Sequence, residues 1–241
     1  MRSKFNIALF WFAHPAFLLL ADYAFGWVIA GLIWSWLVLV VGLQIGAHRY
    51  FTHSSFEANK LQAGFMNVMA ILGGMGTPQD WMVAHTAHHR FADTEKDPTN
   101  VRVIGLWKNY SSLWQLHVPV TPESVRLVAR SLRKGFAKHI YNLYVPILVV
   151  WGAVLFTVSP QAFAWLFLLP VLTGHWAMNL LNHIGHQSEG PNCAAGTSVF
   201  FNLVTPGDGY HGFHHQNPRA YRYGPNDLLA WIIDKTLTAR P

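Results

Sequence analysis

The chain has 241 residues, of which 52% are hydrophobic and only 12% charged. About a quarter charged is usual for a soluble domain, so these numbers argue against a water-soluble globule and point to lipid. The formal net charge is +6 and there is one cysteine; Cys193 alone excludes an intrachain disulfide and a cysteine-based zinc or iron–sulfur site.

All 17 Lys and Arg fall in residues 2–4, 49–138 and 219–240. Between them lie two long apolar regions. Residues 5–47 contain one acid, Asp22, and no Lys or Arg; residues 139–182 contain no charged residue. Each is long enough for two spans of about 20 residues. With four spans, every basic region falls on one side. This positive-inside pattern places both termini in the cytoplasm and gives no support to a nucleic-acid partner.

In chain order, Met1–Lys4 is a basic start and residues 5–20 form the first span, where His14-Pro15 predicts a kink. A tight turn leads to the second span, residues 27–47, which delivers His48. His48 and His53 are five apart, about 140° on an α-helix, so the helix is predicted to end between them. In residues 56–76, Leu61, Phe65, Val68, Met69 and Leu72 have helical spacing. The stretch is short for a span, and Gly73-Gly74 breaks it, so it reads as a helix packed on the spans. Asp80-Trp81 begins a helix carrying His85, His88 and His89 at i, i+3 and i+4, on one face.

Residues 92–120 read as loop. Thr121-Pro122-Glu123 is a helix start with a cap and a first-position proline. The helix that follows shows Val125, Val128, Leu132 and Phe136 on one side and five cations on the other, a pattern suited to a headgroup interface. Residues 140–158 and 162–181 are the third and fourth spans. The fourth ends in Asn182 and His186, at i and i+4. Residues 187–209 read as loop around an apolar segment, Val199–Val204. Then His211-Gly212-Phe213-His214-His215 repeats the i, i+3, i+4 pattern, and residues 216–241 read as a tail. The predicted fold is an all-α membrane protein, one domain over residues 1–241. It has four transmembrane helices and a cytoplasmic helical cap, residues 48–139 and 182–241, holding a histidine-rich dimetal site.

Nine of the 14 histidines make up the clusters on that side: His48, His53, His85, His88, His89, His186, His211, His214 and His215. Nine imidazoles exceed what one ion takes, and two ions with four or five nitrogens each fit. Imidazole suits zinc, copper, iron and nickel alike. No Glu-x-x-His pair or His-Glu-x-x-His signature is present. Neutral imidazoles leave the metal charge uncompensated, so carboxylates are expected behind them; Asp80, Asp93, Asp97 and Asp208 are the candidates.

Gly46-Ala47-His48-Arg49-Tyr50-Phe51-Thr52-His53, His85-Thr86-Ala87-His88-His89 with Asp97-Pro98, and Gly207–His215 resemble the three histidine boxes of integral membrane fatty acid desaturases. The stearoyl-CoA (delta-9) type is the nearest group. Asn182-His183-Ile184-Gly185-His186 resembles that group's Asn-x-x-x-His element. The resemblance implies two irons. One would take His48, His53, His85, His89 and His214. The other would take His88, His186, His211 and His215, with Asn182 reaching it through a water. It further implies O2-dependent removal of two hydrogens from a saturated acyl chain, giving a cis double bond. The substrate would be an acyl-CoA, an acyl-lipid or an acyl-carrier protein.

No cytochrome b5 segment is read in the chain, so electrons are expected from a separate ferredoxin, cytochrome b5 or similar donor. The family's Arg-Gly-Phe-Phe segment is replaced near Val103–Trp107. Trp81, Trp107, Trp114, Trp176 and Tyr210 are candidates to line an acyl tunnel. Two other readings stand beside this one. The first is a related hydroxylase, ketolase or acetylenase. The second, from a different class, is a histidine-rich metal transporter; it predicts ionisable residues along the spans, where only His14 and His175 qualify, with Asp22 near an end.

Overall fold

The computed structural model describes residues 2–186 and 207–239. It is all-α apart from a two-residue ladder. Four helices are long and apolar enough to cross a membrane: Arg2–Leu20, Phe25–Thr52, Ala137–Val158 and Pro160–Ile184. The first is α1, which runs through Pro15 without a break. The second begins as α2, Phe25–Leu37, and continues as a π-helix, Val38–Thr52. The third is α7, Ala137–Val158. The fourth combines α8, Pro160–Phe163, a π segment, Ala164–Leu168, and α9, Leu169–Ile184.

The bundle is closed by small-against-large packing. Ala13, Leu148, Leu168 and Val171 are fully or nearly fully buried together. Leu19, Phe25, Val150 and Val158 are exposed; with no polar partners, these side chains suit contact with acyl chains. Both ends of the bundle are pinned by long-range hydrogen bonds. Trp165 Nε1 donates to Asp22 O at one end, and Arg2 Nη1 donates to Tyr141 O at the other.

The cap gathers at the Arg2 and Tyr141 end. Helix α3, Lys60–Leu72, starts from an Asn59–Gln62 capping box and lies against the π-helix. At Gly42 the two backbones are so close that a Cβ would come 2.4 Å from the Met69 carbonyl carbon. Helix α4, Pro78–Phe91, has a Thr77–Asp80 capping box and proline in its first turn.

Three expectations are corrected. Residues 92–120 contain a helix, α5, Val101–Tyr110, capped by Asn100, and a 3-10 turn, Leu113–Leu116. The sequence hides α5 for two reasons. Gly105, at φ 80°, interrupts its dihedrals, and Val103, Leu106 and Trp107 turn outward, each at least half exposed.

The basic helix α6 spans only Pro122–Ser131. Ser124 and Ser131 are buried while Val125 and Phe136 are half exposed, and Leu127 and Val128 pack on the core, so the inward face mixes serines with part of the apolar stripe. Gln79 Nε2 of α4 donates to Ser131 Oγ there.

Residues 216–241 are no loose tail. Helix α11, Leu228–Thr236, follows the short α10, His211–Gln216, and seats Leu229 and Ile233 at 0% exposure. Strand β1, Phe56–Glu57, then pairs antiparallel with β2, Thr238–Ala239. The Val199–Val204 segment and Cys193 lie outside the described residues.

Candidate metal centre

Four elements deliver the histidines. The π-helix brings His48 and ends at His53, α4 brings His85, His88 and His89, the end of α9 brings His186, and α10 brings His211, His214 and His215. The predicted helix end between His48 and His53 is replaced by continuous π winding. His53 N donates to His48 O at 3.1 Å. A π turn closes i to i+5, so residues five apart come nearly over one another. The 140° separation of an α-helix disappears, and both imidazoles face the same side.

The histidines sort into two groups: His48, His53, His85 and His214, and His88, His186, His211 and His215. In each, one nitrogen per residue lies within 4.8 Å of the others. His89 joins the first group, its Nε2 2.9 Å from those of both His85 and His214. Other Nε2 pairs stand at 3.1 Å (His48–His214), 2.9 Å (His53–His85), 2.8 Å (His186–His211) and 3.2 Å (His88–His215). With metal–nitrogen bonds of about 2.0–2.1 Å, adjacent ligands are about 2.9 Å apart at right angles and about 3.4 Å apart in a tetrahedron. The observed separations match the edges of such coordination polyhedra. Hydrogen bonding alone gives no reason for five Nε2 atoms to converge, because each N–H satisfies only one neighbour.

Protonation is held off by burial. Burial, followed by the charges of Arg49 and Arg219, lowers His53 to about 3. His186 falls to about 4 by burial and by His88, against the pull of Asp93 and Asp97. His215 falls to about 2 through burial and then its imidazole neighbours. His85, His89, His211 and His214 shift the same way, burial first. These rings are neutral and offer lone pairs, the form in which imidazole binds a metal.

The atoms behind the imidazoles differ along the site. His88 Nδ1 lies 3.0 Å from Asp97 Oδ2, and His186 Nδ1 lies 3.3 Å from Asp93 Oδ1. Burial works to raise the Asp97 carboxyl, but the hydrogen bond and charge of His88 and the bonds from Thr99 outweigh it and hold it below its usual range. Asp97 therefore stays ionised and fixes the His88 proton on Nδ1. Asp80 is turned elsewhere. Its carboxylate caps Thr77 and stands 3.3 Å from Arg2, so it belongs to the start of α4 and not to the histidines. The side chain of Asp208 lies outside the described residues.

Asn182 lies in the wall of a cavity of about 20 Å³ bounded by His48, His85, His88, His186 and His211, room for about one water. Asn182 Nδ2 donates to Asn109 Oδ1 of α5. His183 points away, its Nδ1 2.7 Å from Tyr110 Oη. Of the five aromatic candidates, Trp81 and Trp114 line a second cavity of about 20 Å³ against His85, His88 and Asn182. The other three do not reach it. Trp107 is 67% exposed and packs on Trp11, Trp176 donates to His14 Nε2, and Tyr210 sits against Gly224, its hydroxyl accepting from Asn226 N.

Several positioning residues escaped the sequence reading. Gln44 Oε1 is 3.1 Å from His48 Nδ1; its place four residues before His48 was the available signal. Arg49, fully buried, pairs with Asp227 at 3.0 Å and covers the Tyr223 ring at 4.0 Å. Tyr223 in turn stands 4.9 Å from the His214 ring. Asp227 also accepts from Tyr223 N and caps α11 through Leu229 N and Ala230 N. Nothing local in the sequence distinguishes Asp227 from an ordinary cap.

Residues 25–228 match the family model for fatty acid desaturases. The chain is 26% identical over 219 residues to the sn-1 stearoyl-lipid 9-desaturase of Synechocystis, covering 88% of this chain and 68% of that one. It is 27% identical to the sn-2 palmitoyl-lipid 9-desaturase of Nostoc, covering 96% and 83%, and 25% identical to human stearoyl-CoA desaturase, covering 84% and 61%. Four candidate membrane helices, two converging sets of imidazoles and a family match across most of the sequence agree with one another, and the chain belongs to the fatty acid desaturase family of membrane oxidoreductases acting on fatty acyl chains.

Proposed function

We propose that this protein is an O2-dependent acyl desaturase that places a cis double bond in a saturated chain at a di-iron centre, with both termini and the histidines on the cytoplasmic side. The observation that carries the reading is the division of nine imidazoles into two converging groups within a chain of this family. His48, His53, His85, His89 and His214 would hold one iron. His88, His186, His211 and His215 would hold the other, with Asn182 beside it. The irons, when bound, supply the O2 chemistry that removes hydrogen from an unactivated carbon. The side chains hold position and exclude water. Asp97 keeps the His88 proton on Nδ1, and Gln44 offers an acceptor to His48 Nδ1. No side-chain general base is required.

The acyl chain would approach through a cavity of about 320 Å³ that shares Trp81, Ala84 and Trp114 with the small cavity at the histidines. Val83, Leu116 and Val118 give it one apolar wall, Asp80, Asn6 and Gln115 line it too, and no Lys or Arg does. A wall without cations suits a chain esterified in a membrane lipid better than one carrying the phosphates of acyl-CoA.

The test is the fatty-acid profile, by gas chromatography–mass spectrometry, of a host expressing the wild-type chain or His214→Ala, alongside in vitro assays with acyl-lipid and acyl-CoA. New monounsaturated chains with wild type alone establish desaturation and fix the bond position. New oxygenated lipids would replace the reading with a hydroxylase, and turnover of acyl-CoA alone would overturn the lipid assignment.

A further inference from the structure

A cleft of about 880 Å³ opens beside the first imidazole group, within the size range of small-ligand sites. Its floor is formed by His53 and His89, both members of the first group, with Thr52 and Thr86 beside them. Helix α6 supplies one wall through Glu123, Leu127 and Arg130, at i, i+4 and i+7 along a single face. Arg90, Lys134 and Arg219 complete the rim. Lys134 is held inward, its Nζ donating to Tyr50 O and Ser54 Oγ. Arg90, Arg130 and Arg219 are exposed and make no ion pair among the described residues. Four cations thus face one acid across an opening whose floor is made of metal-binding imidazoles. On the other side of the centre, the cavity at Trp81 and Asn182 has no cation in its wall.

We propose that this cleft is the electron-entry port, and that its occupant is the acidic surface of a small one-electron carrier protein. The inference rests on the desaturase reading, which needs it for balance. Converting –CH2–CH2– to –CH=CH– releases two electrons and two protons. Reducing O2 to two waters takes four of each. The remaining two electrons come from a donor outside the chain, and two protons come from solvent. Of the three cavities described at the imidazoles, the two small ones have no Lys or Arg in their walls and suit the acyl chain, so the cationic cleft remains for the donor. Its charge would steer an acidic partner and orient it on the rim. A redox group seated there meets His53 and His89 with no intervening polypeptide, and delivers electrons to the first group while the second faces substrate.

The experiment uses the full iron-loaded chain in nanodiscs and the paired variant Arg90→Glu with Arg130→Glu, both lining the cleft and neither being an imidazole, a hydrogen-bond partner of one, or a charge acting on His53. The probes are a plant-type ferredoxin and the soluble domain of cytochrome b5. Three quantities are read: association of each carrier, stopped-flow reduction of the centre by it across ionic strength, and bound iron. In the wild type at least one carrier is expected to bind, and reduction should slow steeply with salt. The paired variant should weaken association and slow carrier-driven reduction by about tenfold or more. Its bound iron and its reduction by photoreduced deazariboflavin should match wild type. Carrier association unaltered by charge reversal, or carrier-driven reduction insensitive to salt, would overturn the proposal. So would a loss of binding to vesicles of anionic lipid with carrier reduction intact, because the cleft would then be a headgroup site. The wild-type fatty-acid profile separates the two failures. Product from wild type with an unaffected variant refutes the port alone, whereas no product from wild type refutes the reading beneath it.

Discussion

Behind the first histidine group stands an amide; behind the second stand two carboxylates. His48 Nδ1 faces Gln44, and His214 Nδ1 has no hydrogen-bond partner among the described residues. Arg49 is next in the chain, and the basic cleft opens beside His53 and His89. His88 and His186, by contrast, are backed by Asp97 and Asp93, and their group opens onto the cavity at Trp81 and Asn182. A metal in the second group would have its charge partly neutralised from behind; one in the first would not. Carboxylates behind imidazoles raise their basicity and metal affinity. The comparison teaches that two sites with the same kind of donor can differ in affinity and ease of reduction through their neighbours alone.

The largest effects should come from the imidazoles themselves. His88→Ala and His214→Ala each remove one donor, one from each group. Both variants are expected to remain in the membrane fraction and to lose desaturation entirely, with bound metal falling below two ions per chain. Metal analysis beside the fatty-acid profile checks this. Substantial turnover in either variant would break the assignment of that group.

The contrast itself is sharpened by pairing Asp97→Asn with Gln44→Ala. Asp97 is buried, accepts from Thr99 N as well as facing His88, and receives the amide of Asp93. Replacing it should weaken one of two metal-binding steps by about 10–100-fold, read by titration against a chelator. Gln44→Ala should weaken the other step by less, since a neutral amide contributes less than a carboxylate. An equal or larger loss for Gln44→Ala would mean that the charge difference between the groups is not what sets their affinities.

These residues also mark what the sequence could and could not reveal. The spans were legible because an uncharged run of some forty residues suits little besides the interior of a bilayer. The nine histidines were legible because i, i+3, i+4 spacing puts donors on one face. The turn of His53 onto the face of His48 was not, because π winding is rare and no local pattern in residues 38–52 marks it. Asp93 and Asp97 stood near the second box and lie beside His186 and His88, but Asp80 stood equally near and was taken by Arg2 and Thr77. Proximity in sequence cannot tell a cap from a carboxylate behind an imidazole. Asp227, 178 residues from Arg49, carries a buried ion pair whose loss would cost roughly 3–5 kcal/mol, and no local pattern announced it. Helix α5, which brings Asn109 to Asn182, was hidden by Gly105.

That last contact sets the smallest effect. Asn182 and His183 are neighbours on α9, yet they face different surroundings. Asn182 is held by Asn109 in the wall of the small cavity beside His88 and His186, while His183 is held by Tyr110. Asn182 places an amide in the wall of the water-sized space beside the second group, next to Trp81, Met178 and Leu181. Asn182→Ala should therefore reduce desaturation several-fold while both metals stay bound, and His183→Ala should leave it close to wild type. The initial rate of product formation at matched metal content measures both. If His183→Ala is the more damaging, the ring must leave Tyr110 in the working enzyme and take the place beside the second group. The asymmetry between the groups would then be one of donor number as well as of charge.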